Sequence, residues 1–251
     1  MGDQQGRREF LTAGVLAAGA AAIPNASGAT PAVEPDAPRL IPKGATVLFQ
    51  GDSITDAGRN RELAGPNDAA SLGSGYAFLA ATNLLVHRAE DALKLFNRGI
   101  SGNKVFQLAE RWQQDCLDLK PDVLSILIGV NDLWHVLAGK YDGTLETYRD
   151  YYRRLLDRTK TALPDVKLVI CEPFVLKVGA VDDTWFPAFD EHRAVAKQIA
   201  DDYADAWVPF QSVFDRALTV APPATWAGDG VHPSQAGATL MASAWLRAVG
   251  E

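Results

Sequence analysis

The feature that most constrains this chain is an alternation that begins near residue 46. Short apolar runs at 46–49, 93–96, 123–128, 168–171 and 207–210 are separated by longer segments with helical spacing. Those segments cover 76–87, 105–117, 145–163 and 189–203, and a last helix is expected from about 233 to 249. The interiors of the runs do not alternate apolar with polar residues. Both faces of each strand are therefore covered, which indicates a parallel sheet with helices on either side. The pattern predicts one α/β domain of three layers, and 251 residues are enough for one such domain with a full core.

The chain before this alternation differs in composition. Arg7-Arg8-Glu9-Phe10-Leu11 leads into an apolar, Ala-rich stretch that ends near Ile23, too short to span a bilayer comfortably. The stretch has no polar face, which argues against an amphipathic helix. Paired arginines ahead of an apolar core resemble a twin-arginine export signal, and Ser27-Gly28-Ala29 offers a small-residue cleavage site. Residues 1–29 are thus expected to be a signal peptide, with a periplasmic or secreted destination. Residues 30–45, with four prolines, are expected to be a linker ahead of a domain at 46–251. The net charge of −7, with no basic run, argues against nucleic acid and against anionic membrane surfaces once the signal is removed. Cys116 and Cys171 fall in apolar patterns and read as small buried hydrophobes.

In open parallel sheets, ligands bind outside the carboxyl ends of the strands. The residues after the apolar runs are accordingly the ones to inspect. They are Gly51-Asp52-Ser53, then "NRGISGN" at 97–103, then "GVND" at 129–132, with "DGVHP" at 229–233 ahead of the last helix. Alone, Ser53 reads first as a turn serine, and His232 first as a capping or core histidine. Together the four sets supply what acyl transfer needs. A serine hydroxyl requires a base, an imidazole requires an acceptor to fix its tautomer, and an oxyanion requires preorganised donors. Ser53, His232 and Asp229 meet the first two requirements. Gly102, which lets a backbone N–H approach closely, and the Asn131 amide meet the third.

These four blocks, in this order, resemble those of the SGNH, or GDSL-type, serine hydrolases. The resemblance covers residues 46–249 and implies a flavodoxin-like α/β/α sandwich with a five-stranded parallel sheet. It also implies Ser53, Asp229 and His232 as the catalytic triad, with Ser53, Gly102 and Asn131 as the oxyanion hole. Longer strings, "GDSITDAGRNR", "LGSGYA", "NRGISGNKV" and "IGVNDLW", are similar to SGNH acetylxylan esterases that deacetylate xylo-oligosaccharides. Such enzymes place a tryptophan directly before the triad aspartate, whereas here Trp226 stands three residues earlier. The expected substrate is a small-molecule or oligosaccharide ester. A lysophospholipase, thioesterase or arylesterase is the alternative within the family, and a non-catalytic carbohydrate-binding protein the alternative outside it. The sequence leaves a homo-oligomer open.

The remaining polar and aromatic residues take plainer roles. No His, Asp or Glu cluster has metal-ligand spacing, so neither a metal nor another cofactor is expected. Asp56 is expected to accept hydrogen bonds in its own turn, and Asp132 to brace the Asn131 loop. Trp112, Trp207 and Trp245 read as core. Trp134, Trp185 and Trp226 lie in or beside rim loops where an indole can stack on a sugar. Asp52, Trp134 and Trp226 are the candidate substrate-binding residues. His87 and His192 read as structural, and His135 as a rim residue outside the chemistry.

Overall fold

A computed structural model describes residues 39–251. Five strands, β1 (Thr46–Gly51), β2 (Lys94–Asn97), β3 (Val123–Leu127), β4 (Lys167–Cys171) and β5 (Ala206–Val208), form one sheet in the order β2-β1-β3-β4-β5. Every neighbouring pair is parallel. The chain leaves β1 for one neighbour and later returns to its other side as β3, so a crevice opens at the carboxyl ends of β1 and β3. Val47 pairs with Val123 and Gly51 with Leu127, which ends the two strands level with each other.

The helices among the described residues are α1 (Ser53–Asp56), α2 (Ala69–Leu72), α3 (Tyr76–His87), α4 (Val105–Asp115), α5 (Val130–Leu137), α6 (Leu145–Ala162), α7 (Ala188–Tyr203), α8 (Phe210–Ala217), α9 (Pro223–Trp226) and α10 (Gln235–Ala248). Successive strand residues face opposite sides. Val47 and Phe49 pack with α3, α8 and α10, and Leu48 packs with α4, α6 and α7. Helix α6 shows how the pattern works. The Thr144 hydroxyl caps it by accepting from the Thr147 N–H at 3.1 Å. Tyr148, Tyr152, Leu155, Leu156 and Thr159 form its buried stripe, and Pro164 follows its C-cap, Leu163. Each large apolar side chain in that stripe contributes about 1.5–3 kcal/mol. The two most deeply buried indoles satisfy their N–H groups on hydroxyls, Trp112 on Thr159 and Trp245 on Ser125, both at 2.9 Å.

The α/β sandwich and its five-stranded parallel sheet agree with expectation, and several details differ. Residues 1–29, the expected signal, lie outside the described residues. Of the expected linker, 30–38 also lie outside the described residues, and from Leu40 the chain packs on the sheet domain. Ile41 and Ala45 are buried, and the Leu40 N–H bonds the Val249 carbonyl. The last strand stops at Val208, because Pro209 has no N–H for the ladder and Phe210 opens α8. Helix α8 was not anticipated, although Phe210, Val213, Phe214 and Ala217 carry its spacing. Trp207, expected in the core, is half-buried at the edge strand. Cys116 and Cys171 are buried free thiols.

Candidate active site

The Ser53 side of the crevice is built from buried polar side chains. The Asp52 carboxylate caps α1 by accepting from the Ile54 N–H at 3.0 Å, which fixes Ser53 as the first helical residue. The Asn97 amide donates to the carbonyls of Thr55 (2.6 Å) and Leu72 (2.9 Å), and its oxygen accepts from the Gly99 N–H (2.9 Å). Asp56 accepts from the Ser101 N–H (2.9 Å), the Ser101 hydroxyl (2.8 Å) and Arg61. It therefore joins two loops instead of closing its own turn. Asp132 accepts from the Val105 N–H at 3.1 Å, bracing the start of α4. Asn131 lies in the first turn of α5, not in a loop, and donates to the Asn103 carbonyl at 3.1 Å.

This burial alters the carboxyl groups. Desolvation pushes Asp52 up to about 7, against the opposing Ile54 N–H bond and the His232 charge. Asp132 is likewise pushed up to about 7, by burial first. Burial also raises Asp56, but its bonds from Arg61 and Ser101 outweigh that and hold it below the ordinary carboxylate value.

The opposite wall is the segment ahead of α10. Helix α10 begins at Gln235 with Ser234 as its N-cap, so Pro233 precedes the helix and does not open it. Asp229 accepts from the N–H groups of Val231 (2.9 Å) and His232 (2.7 Å) through one oxygen, and meets His232 Nδ1 at 2.6 Å through the other. His232 Nε2 lies 2.8 Å from the Ser53 hydroxyl. The structure thus brings Ser53, His232 and Asp229 into one hydrogen-bonded series. Burial raises Asp229, but the His232 side chain and the two N–H groups more than offset it, holding Asp229 below its ordinary value. The turn depends on Gly230, at φ +85°, where an added Cβ would stand 2.4 Å from the carbonyl oxygens of Leu176 and Val178.

Gly102 is at φ +81°, and only His135 Cε1, at 4.0 Å, comes near the place a Cβ would take. Neither the Gly102 N–H nor that of Ser53 donates to a backbone acceptor among the described residues. A hydroxyl, imidazole and carboxylate in series, beside free N–H groups, can deprotonate an oxygen nucleophile and hold the charge that develops on its target. A cleft of about 200 Å3 adjoins Ser53 and His232, lined further by Ala57, Ser74, Gly75 and Gln235. A larger cleft, about 510 Å3, lies at the amino ends of the strands around Pro121 and Pro164, and carries no nucleophile–base pair. Among the described residues no three His, Cys, Asp or Glu side chains converge to hold a metal.

The structure does not support every expected contact residue. Asp52 is 1% exposed, so it sits beneath the cleft and cannot meet a ligand directly. Trp226 is half-buried on α9, donates its indole N–H to the Ala221 carbonyl, and does not line the cleft. Trp185 is buried, with its N–H on the Ala180 carbonyl. Trp134 does not line the cleft either, but its half-buried ring lies 6.0 Å from that of His232. Sequence reasoning missed the clamp on the Asp229 loop, in which Leu176 N–H donates to the Gly230 carbonyl and Ala180 N–H to that of Asp229. It also assigned no role to Asn97, though the quoted "NRGISGN" block begins with it.

Comparison with known proteins gives a consistent picture. The GDSL-like Lipase/Acylhydrolase family model matches residues 49–240. An acetylxylan esterase of Geobacillus stearothermophilus is 37% identical over 222 residues, spanning 84% of this chain and 96% of that protein. The crystal structure of Axe2, an acetylxylan esterase from the same organism, superposes with a TM-score of 0.76 at 35% identity, covering 84% of this chain and 96% of that one. A Parabacteroides merdae protein described as a GDSL-like lipase superposes with a TM-score of 0.83 at 50% identity, covering 85% and 99%.

Proposed function

The chain belongs to the GDSL-like lipase/acylhydrolase family and is a carboxylic ester hydrolase, and from that premise we propose that it removes O-acetyl groups from xylo-oligosaccharides or a related polysaccharide. The observation that carries this reading is the series Ser53 Oγ, His232 Nε2 at 2.8 Å, and His232 Nδ1 to Asp229 at 2.6 Å. Ser53 attacks the acetyl carbonyl carbon while His232 takes the hydroxyl proton and Asp229 holds the resulting imidazolium. The oxyanion rests on the N–H groups of Ser53 and Gly102 and on the Asn131 amide. His232 returns the proton to the departing sugar oxygen, leaving an acetyl ester on Ser53. A water deprotonated by the same imidazole then releases acetate and restores the serine.

Three features support a small acyl group and a hydroxyl-bearing alcohol. The relatives' names specify acetylxylan. The cleft of about 200 Å3 beside the pair is small and includes Ser74 and Gln235. Trp134 stands beside His232, where an indole face suits a sugar ring. A long acyl chain gains about 0.8 kcal/mol for each methylene taken out of water and needs a groove to gain it. We further propose export, on the paired Arg7-Arg8 and the apolar stretch that follows.

The deciding experiment measures acetate release from acetylated xylo-oligosaccharides beside p-nitrophenyl esters of graded length. kcat/KM is expected to fall steeply from acetyl to butyryl, with octanoyl nearly inert. A preference that rises with chain length, or no acetate from any acetylated sugar, favours the lysophospholipase, thioesterase or arylesterase reading.

A further inference from the structure

A second polar pair lies at the rim, next to the donors assigned to the oxyanion. Lys104, the residue before α4, is 7% exposed. The lysines paired with carboxylates among the described residues are Lys43, Lys160, Lys167, Lys177 and Lys197, so Lys104 has no such partner. Its ammonium instead lies 3.1 Å from His135 Nδ1 and over the rings of Phe106 and Tyr141, at 5.4 and 5.2 Å. The Asp132 carboxyl acts on this ammonium only from beyond ion-pair distance, and burying it with a neutral ring nitrogen and two aromatic rings as its direct contacts costs stability that an apolar residue would not. A purely structural contact gives no reason for that cost.

The pair has a chemical consequence. An ammonium has three donors and no acceptor, so His135 Nδ1 must accept and the ring proton must sit on Nε2. Burial first, and then the ammoniums of Lys104 and Lys140, hold His135 below its ordinary value, which keeps the ring neutral. Nε2 makes no hydrogen bond to a described residue, and the ring is half-buried. Cε1, the carbon adjoining Nε2, lies 4.0 Å from where a Cβ would stand on Gly102. The N–H edge of the ring therefore borders the bare face of that loop, one residue along α5 from Trp134.

We propose that His135 is a substrate-binding residue whose Nε2–H donates to an oxygen of the alcohol half of the ester, and that Lys104 is the positioning residue that fixes this tautomer. The acetyl methyl offers no acceptor, and the carbonyl oxygen is taken by Ser53, Gly102 and Asn131. The acceptors left to a donor at this place are the hydroxyl and ring oxygens of the sugar. This inference rests on the carbohydrate-ester reading above.

The test compares an acetylated xylo-oligosaccharide with p-nitrophenyl acetate, which carries no sugar oxygen. His135→Phe keeps a flat ring without the donor and should raise KM for the sugar by about tenfold, the loss of one hydrogen bond. His135→Gln, which keeps an N–H, should recover most of that. kcat on the sugar and kcat/KM on p-nitrophenyl acetate should stay near wild type, whereas the melting temperature of His135→Phe should fall, because the buried Lys104 ammonium loses its acceptor, so the assays are run well below it. Lys104→Met should raise KM for the sugar in the same selective way, and Lys104→Arg, with a donor-only head, should rescue it. Equal losses on both substrates, a change in kcat alone, or no change on the sugar overturns the proposal. If the wild type deacetylates the sugar while His135→Phe is unaffected, this inference alone fails. If the wild type releases no acetate from sugars, the underlying reading fails with it.

Discussion

Ser53 and His232 meet across 2.8 Å, yet the loops that carry them are built in opposite ways. The Ser53 side rests on Asp52, Asp56 and Asn97, which are 1–2% exposed; Asp52 caps α1 locally, while Asp56 and Asn97 bond across separate segments. On the His232 side, Asp229 and His232 have 43% of their side chains exposed, and the turn is held mostly by main-chain bonds to Leu176 and Ala180. A buried polar network is costly to break, because each lost partner leaves a desolvated group behind. An exposed turn set by backbone geometry adds little to stability, but it aims the imidazole. Changes on the first side should be felt in folding, and changes on the second in turnover.

The largest effect should come where the two loops touch. Ser53→Ala should lower kcat by about 10⁴-fold or more, as expected when a member of a cooperating triad is removed. Its melting temperature should stay near wild type. A phosphonate ester should label Ser53 in the wild type and nothing in the variant, read by mass spectrometry. Labelling of another serine removes the mechanism. Asn131→Ala comes next, with kcat down by about 10²–10³. Asn131 is buried and donates to the Asn103 carbonyl, so a loss of about 1–2 kcal/mol in stability is expected as well.

A paired experiment can break the comparison itself. Gly230→Ala forces a side chain into a left-handed turn and toward two carbonyl oxygens at 2.4 Å. Misaiming the imidazole by about 1 Å should cost about 10²-fold in kcat. Asn97→Ala strands the Thr55 and Leu72 carbonyls and the Gly99 N–H, and should cost about 3 kcal/mol in urea unfolding. Its kcat per folded molecule should change far less than that of Gly230→Ala. If Gly230→Ala is the variant that unfolds and Asn97→Ala the one that loses turnover, the two loops have been read the wrong way round.

The same division explains what could be read from the sequence. Strand and helix periodicity made the sandwich legible, and the boundaries of α3 fell at Tyr76 and His87 as expected. Ser53, Asp229 and His232, which the structure brings within hydrogen-bond distance of one another, were singled out in the sequence because acyl transfer calls for those residue types beyond the strand ends. Supports were not. Asn97 looks like any turn asparagine until its two acceptors, Thr55 and Leu72, are seen to come from distant segments. Asp52 was placed against substrate because exposure is a property of packing, which spacing does not encode. Trp226 failed for the same reason, and Lys104 gave no signal because its partner, His135, lies 31 residues away.

The Asp52 and Asp229 carboxyl groups offer the finest test, because these two should respond to pH with opposite sign. Asp52 is pushed up to about 7 by burial, so between pH 4 and 7 the folded state holds a proton that the unfolded state has released. Its contribution to stability is full below about pH 4 and is lost as the pH rises through about 7. Asp229 is held below its ordinary value, so its contribution is present at neutral pH and is lost on acidification, and solvent exposure keeps it small. Asp52→Asn keeps the cap oxygen for Ile54 but does not titrate. The difference in unfolding free energy, variant minus wild type, should therefore rise by about 2 kcal/mol between pH 5 and 7 and flatten above. Asp132, also at about 7 and raised in part by the Asp52 charge, titrates with it, so the transition belongs to the pair. For Asp229→Asn the difference should be slightly negative at pH 7 and shrink toward zero below pH 4. Urea unfolding in half-unit steps from pH 3.5 to 8.5 resolves the two slopes. A flat Asp52→Asn difference would show that the carboxyl beneath Ser53 keeps one charge state throughout, and that burial on this side is balanced by its neighbours as it is on the other.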